Sequence, residues 1–458
     1  MRIPSILLIS VICIYSHDIR AVDNNLDNGL QAGNIIADEI NAGEFLSIVG
    51  KAAKIAVPFF STIFDVTKLI FGIGQTESPE LQYLRQFSET VNLRFDRVDA
   101  QFSDIKRLIN WSTVQVTYTD IESRIIAVSD ALNNMYKVPK LAIDAQKQIF
   151  ITSYESGYQD SGIKLYKGFM NEGNVFGTGL LGPAMQYTEP DRGKMRIFML
   201  GILRLLFMAA KLEFEYFAIK GFSGGIVPFY VQQWQTRLER VQAKMLVTDQ
   251  DVASKYNSQF LLDIESFATL NSSLGNEDFS RGLYKKLSDK YFWRDWLVII
   301  STPSSRNRAC YHMCNGFAKQ LHNRDIAVAS VDRQKTPINK TEVDTLVSSL
   351  RQTCASKTKT SGGCGLSFTT YPKADEMYSW ITPRIRTNCL SVYAAVGTSG
   401  RQLFINLSKR IIGACGKRLY LENDESKRFQ SSTNRRYTAL PKRLYISHLN
   451  CGEVFFFG

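Results

Sequence analysis

VNLRFDRVDAQFSDIKRLINWSTVQVTYTDIESRIIAVSDALNNM, residues 91–135, returns an apolar side chain at alternating intervals of four and three. Val91, Phe95, Val98, Phe102, Ile105 and Ile109 form one run. Val114, Tyr118, Ile121, Ile125, Val128, Leu132 and Met135 form a second, and the register slips between Asn110 and Thr113. This spacing draws one apolar stripe along a helix, so it predicts one very long helix or two stacked end to end. Ser78 is placed to cap its start, with Pro79 at the first helical position, where a missing N–H leaves nothing unsatisfied. Val138-Pro139 closes it. Unbroken from Glu80 to Tyr136 it would run roughly 85 Å, longer than an ordinary globular core requires.

Upstream, Phe45 to Gly74 carries only Lys51, Lys54, Asp65 and Lys68 as charges. On a helical wheel Ser47, Lys51 and Lys54 fall together and leave Phe45, Leu46, Ile48, Val49 and Ile55 on a broad apolar face. Pro58 breaks or kinks the run. Beyond it, Ser61, Asp65 and Lys68 mark a second narrow polar stripe against Phe59, Phe60, Ile63, Phe64, Leu69, Ile70 and Phe71. Two successive amphipathic helices with cationic polar stripes suit a lipid interface, and they equally suit the core of a helical bundle. A pore-forming protein needs both, because it must hide its membrane segments until use.

Downstream, Ile197 to Ala210 is apolar nearly all round and reads as the central helix of that bundle. At 14 residues it is short for a span, and Arg196, Arg204, Lys211, Glu213 and Glu215 would be unfavourable in hydrocarbon. Amphipathic helices are expected at Val227 to Leu246 and Asp251 to Leu270. Residues 156–193, with Gly162, Gly168, Gly173, Gly177, Gly179 and Gly182, read as a long irregular loop.

Past residue 291 the period shortens. Trp296 to Ile300, Ile326 to Val331, Leu366 to Tyr371, Leu390 to Val396, Gln402 to Leu407, Arg443 to Ser447 and Glu453 to Phe457 read as strands. A helix near Asn307 to Leu321 is expected to carry Cys310 and Cys314. Composition changes in the same place. Residues 291–458 hold 25 Lys and Arg against 11 Asp and Glu, a net of +14 in a chain of net +12. They also hold Cys310, Cys314, Cys354, Cys364, Cys389, Cys415 and Cys451, every cysteine except Cys13. Seven thiols allow three disulfides with one left over; Cys354 with Cys364 is the easiest local bridge, and the remaining connectivity stays open.

The first residues set the compartment. Arg2 precedes an apolar run from Ile3 to Tyr15, too short to span a bilayer, so residues 1–21 read as a secretory signal. Cleavage falls near Ser16, or Arg20 ends a short pro-segment. In an oxidising compartment the cysteines favour disulfides over a metal set of Cys310, His312, Cys314 and His322, and no metal or other cofactor is expected. Asn271, Asn339 and Asn406 open acceptor sequons for glycosylation, whereas Asn110 falls within the long helix. Gly221-Phe222-Ser223-Gly224-Gly225 matches a nucleophile elbow on paper, but it lacks the strand before and the helix directly after that the elbow needs, so no catalytic residue is assigned. In a secreted protein of pI 9.2 the excess charge reads either as a solvated face that keeps the protein soluble or as attraction to anionic membrane lipid or surface glycan, and points away from nucleic acid.

The strings Ser78-Pro79-Glu80-Leu81, Val91-Asn92-Leu93-Arg94-Phe95-Asp96-Arg97-Val98-Asp99 and Phe102-Ser103-Asp104-Ile105-Lys106-Arg107-Leu108-Ile109-Asn110-Trp111 resemble the cytolytic toxins of box jellyfish and related cnidarians. The Cys310-x-x-x-Cys314 spacing fits as well. The helical segment is also similar to cephalotoxin-like and rapunzel-like animal proteins. The resemblance implies nematocyst storage, a haemolytic, non-enzymatic pore former that oligomerises on the target membrane, and an N-terminal bundle like that of insecticidal crystal toxins. The cephalotoxin-like branch implies instead a secreted non-lytic binding or structural protein. The expected fold is α+β: an all-α bundle with a very long helix over residues 22–285, then a smaller, antiparallel, disulfide-containing β-rich domain over 286–458.

Overall fold

A computed structural model describes residues 45, 49, 54, 60, 61, 63–65, 67, 68, 114–223 and 225–301. Beyond these it describes 309–313, 316–357, 359–363, 366–370, 391–396, 403–406, 410–414, 417–421, 443–449 and 452–458. The chain divides into two compact units after Lys255, ahead of the compositional change near residue 285.

The first unit is helical. Helix α1 (Gln115–Lys137) buries Val114, Tyr118, Ile121, Ile125, Val128, Leu132 and Met135, so the second heptad run is its inward face. It stops at Val138, whose extended backbone is what a following proline demands. The first heptad run, with Ser78 and Pro79, lies outside the described residues, and so does most of the expected very long helix. After α2 (Ile143–Ser153) comes a π-helical turn, Tyr154–Tyr158, then α3 (Ser161–Met170) and α4 (Leu181–Tyr187).

These last elements correct the expectation of an irregular loop over 156–193. Gly162 and Gly168 sit inside α3, where a Cβ at Gly168 would lie 1.9 Å from the Phe176 ring and one at Gly162 2.7 Å from the Ala209 Cβ. They act as close-packing residues and do not break the helix.

Helix α5 (Arg192–Ile219) is capped by the Asp191 carboxylate, which accepts the Lys194 N–H at 3.0 Å. It extends the expected Ile197 to Ala210 segment at both ends and is buried on nearly every side. Helix α6 (Val227–Ser254) starts with Pro228 in its first turn and packs along α5. Gly221 to Gly225 fall between α5 and α6, with a helix and not a strand before Ser223.

The second unit opens with α7 (Tyr256–Leu270) and α8 (Asn276–Lys290). α6 and α7 are the two helices expected at Val227 to Leu246 and Asp251 to Leu270, with the break between them at Lys255. Twelve strands follow among the described residues. β1 (Arg294–Ser301), β3 (Phe317–Leu321), β4 (Arg324–Asp332), β8 (Leu403–Asn406), β9 (Arg410–Ala414) and β10 (Lys417–Leu421) form a six-stranded sheet of order β3-β4-β1-β8-β10-β9. β2 (Ala309–His312), β7 (Ser391–Val396), β11 (Leu444–Leu449) and β12 (Gly452–Phe457) form a second sheet, and β5 (Lys359–Gly363) pairs with β6 (Leu366–Thr370). Among the described strands, pairing is antiparallel except between β8 and β10. Helix α9 (Lys340–Lys357) starts at Asn339, whose Oδ1 accepts the Thr341 N–H at 2.9 Å.

One correction falls in this unit. Over its described residues, the helix expected near Asn307 to Leu321 is two strands of different sheets, β2 and β3, because each has a partner whose ladder outweighs local propensity: Cys310 opposite Ala394, and Phe317 opposite Val328. A Cβ on Gly316 would lie 2.1 Å from the Val328 carbonyl oxygen, so only glycine lets the chain pass there into β3. The core places Phe260, Ile264, Phe279, Leu283 and Leu287 of α7 and α8 with Trp296, Val298 and Ile300 of β1.

Candidate functional site

The site is the seat of the amphipathic segment at residues 45–68. Phe45, Val49, Lys54, Phe60, Ser61, Ile63, Phe64, Asp65, Thr67 and Lys68 are all helical. Phe45, Val49, Phe60, Ile63 and Phe64 are buried, while Lys54, Asp65 and Lys68 face out. The faces therefore divide as the spacing of Ser61, Asp65 and Lys68 requires. Leu46, Ile48, Ile55, Phe59, Leu69, Ile70 and Phe71 lie outside the described residues.

Aromatic contact anchors the segment to α5 and α6. The Phe60 ring stacks on Phe214 at 5.1 Å and tilts against Phe207 at 5.7 Å and Trp234 at 6.5 Å. The Arg196 guanidinium stands 5.0 Å from the centre of the Phe45 ring. Arg196 is itself fixed, because it and Arg192 each present two donors to the buried Asp249 carboxylate at 2.6 to 3.0 Å. Burial alone would raise the Asp249 pKa, but the hydrogen bonds and charges of the two arginines hold it below the ordinary carboxylate value.

Thr67 ties the other end. Its hydroxyl lies 3.4 Å from Tyr136 Oη, which donates to Glu215 Oε1 at 3.1 Å, and Lys211 Nζ stands 3.7 Å from the same oxygen. Burial pushes the Glu215 carboxyl above its ordinary value, against the pull of Lys211 and Tyr136. Burial and the neighbouring Glu215 charge raise Tyr136. Among the described residues, Glu215 Oε2 is buried without a hydrogen bond. A polar cluster of Thr67, Tyr136, Lys211 and Glu215 therefore ends the segment's seat in apolar surroundings, where polar groups are strongly coupled.

Sequence reasoning found the apolar face and missed Thr67, Tyr136, Glu215 and Asp249 as its holders. A signal was present in the charges Lys211 and Glu215, one turn apart within an otherwise apolar stretch. Among the described residues no helix is long and apolar enough to cross a membrane, and no group of three or more His, Cys, Asp or Glu side chains is placed to hold a metal. Cys310 lies on β2 and Cys354 on α9, and the other five downstream cysteines fall outside the described residues. Asn339 is exposed at the start of α9, Asn271 follows α7 with its amide donating to the Phe267 carbonyl at 3.0 Å, and Asn406 ends β8.

No curated protein and no solved structure matches the chain. Residues 74–273 match the family model of the cephalotoxin-like middle helical domain, so the helical frame from α1 to α7 is similar to that of a toxin-related family, and the segment at 45–68 precedes the matched stretch.

Proposed function

We propose that this protein is a secreted cytolysin that attaches to target membranes through its basic second unit and opens them by releasing the segment at 45–68 into lipid. The observation that carries the reading is the burial of Phe45, Val49, Phe60, Ile63 and Phe64 under a polar stripe of Lys54, Asp65 and Lys68. A soluble fold that hides an amphipathic segment can exchange protein contacts for lipid contacts of similar apolarity. Each buried side chain holds the segment by about 1.5 to 3 kcal/mol, so the five together require a lipid surface before release is favourable.

The similarity of residues 74–273 to a cephalotoxin-like domain and the resemblance of residues 78–111 to cnidarian cytolysins both support the reading. Storage in nematocysts follows from the second. Several copies assembling on the membrane would line the hole with their polar stripes, without catalytic chemistry and without a cofactor. A secreted, non-lytic cephalotoxin-like binding protein is the other reading that the matched domain accommodates.

The test is dye release from liposomes by the mature full-length protein. Anionic vesicles should leak. Lys54→Glu and Lys68→Glu, both on the exposed face, should leave the far-ultraviolet circular dichroism unchanged and reduce leakage from anionic vesicles more than from zwitterionic ones. Vesicle binding with no release at any composition overturns the lytic reading in favour of the non-lytic one.

A further inference from the structure

Two grooves of about 520 and 380 Å³ meet on the outer face of α6, and both are within the ~300 to 1,000 Å³ range of small-ligand clefts. Gln232 lines both. The smaller is walled by Phe229, whose ring is 58% exposed, and by Arg237 and Arg240. Arg237 is held in place by Gln233 Oε1 at 3.1 Å and by the Trp234 ring below it at 5.0 Å, and Arg240 donates to Tyr166 Oη at 2.6 Å. The larger is walled by Gln235 and by Ser61, Phe64 and Asp65 of the concealed segment.

The donor and acceptor chemistry selects the ligand. Guanidiniums donate, the Asp65 carboxylate accepts, and the Gln232 amide does both; the Thr236 hydroxyl, which donates to the Gln232 carbonyl at 3.0 Å, and the Gln235 amide, which donates to Glu239 at 3.0 Å, keep acceptor oxygens for a ligand. A free anion suits this set poorly, because Asp65 faces it from one wall and Glu172 already pairs with Arg240 on the other. An acyl chain suits it worse, since three glutamines line the floor. A polyhydroxylated ring suits it: each hydroxyl both donates and accepts, and the exposed Phe229 face can take the C–H face of a sugar.

We propose that these joined grooves bind a neutral sugar residue of a cell-surface glycan. As a further attachment site, on the first unit and in addition to the charge of the basic second unit, this deepens the membrane-directed reading above and rests on it for its purpose, although the binding event itself is independent of lysis.

The probes are methyl β-galactopyranoside, methyl α-mannopyranoside and N-acetylglucosamine, with inorganic phosphate and phosphocholine as anionic and headgroup competitors. Saturation-transfer NMR and calorimetric titration on the mature full-length chain read binding. At least one sugar should bind, and Phe229→Ala and Gln232→Ala should each weaken it by about tenfold, the effect of removing one well-placed contact. Circular dichroism should be unchanged, and Leu262→Ala, at an exposed position in the second unit, should bind like the parent.

Absence of binding by all three sugars overturns the proposal. Sugar binding indifferent to both variants does so too, as does phosphate or phosphocholine occupying the Phe229 and Gln232 site in preference to sugar. Dye release measured alongside separates the two readings. Sugar binding without leakage supports the site and removes the lytic function, whereas leakage without sugar binding removes the site and leaves the function.

Discussion

Asp249 and Glu215 are both buried carboxylates in the same helical unit, yet their surroundings drive them in opposite directions. Two forked arginines hold the Asp249 pKa below its ordinary value of 3.8, so the stability it contributes is present above that value and is lost as pH falls through the lowered one. Asp249→Asn should destabilise the helical unit by about 3 kcal/mol, the low end for breaking a buried pair, because Arg192 and Arg196 keep some water access. Urea midpoints at neutral and strongly acid pH check this: the variant should be weaker at neutral pH and should lose the parent's acid-linked decline. For Glu215, burial raises the pKa above 4.5, so the folded unit binds the proton more tightly and loses stability as pH rises from 4.5 through the raised value. Glu215→Gln should flatten that slope, read from the same melts at pH 5 and 8. An unchanged slope would mean that another group sets it.

At the level of elements, α3 reverses the usual effect of glycine. Gly→Ala in a helix normally stabilises by up to about 1 kcal/mol. In α3 a Cβ at Gly162 meets Tyr158 Oη at 2.4 Å and the Ala209 Cβ at 2.7 Å, with the Tyr158 hydroxyl also accepting the Gly162 N–H at 3.1 Å. Gly162→Ala should therefore destabilise by about 1 to 3 kcal/mol through overpacking, visible as a lower thermal midpoint. The half-buried Gly157, in the π-helical turn before α3 and with open space around its Cβ position, serves as the control. These contacts also explain why 156–193 read as a loop, since glycine frequency is local information and the approach of α5 to α3 is not. By contrast, the segment at 45–68 was legible, because the interval between Ser61, Asp65 and Lys68 fixes which face is buried whatever it is buried against. The same logic recovered the inward face of α1. The strands β2 and β3 were misread because the run from Cys310 to Leu321 has no strong period, and the ladders with β7 and β4 decide it.

For the whole molecule, the location of the domain boundary yields the plainest test. Residues 256–458 should express as a folded fragment, whereas 286–458 should not, because the shorter piece lacks α7 and the greater part of α8. Phe260, Ile264, Phe279 and Leu283 would then leave the core around Trp296 and Val298. Solubility and amide dispersion by NMR check the pair; equal folding of both fragments would show that α7 and α8 are dispensable to the sheet. Mass-spectrometric mapping of the mature chain should find every disulfide within that second unit, and seven free thiols would contradict the expectation drawn from composition.

Composition, charge and period by themselves determined the order of the molecule: a helical part rich in one-sided apolar stripes, then a basic, cysteine-bearing part with strands. Those properties are sums or repeats along the chain, so no distant contact is needed to read them. Only the tertiary structure decided that α7 and α8 join the sheet, that Gly162 and Gly168 sit inside a helix, and that Thr67, Tyr136, Glu215 and Asp249 hold the amphipathic segment. Each of those outcomes depends on groups separated by tens of residues in sequence, and the free energy that settles it appears only when they are brought together.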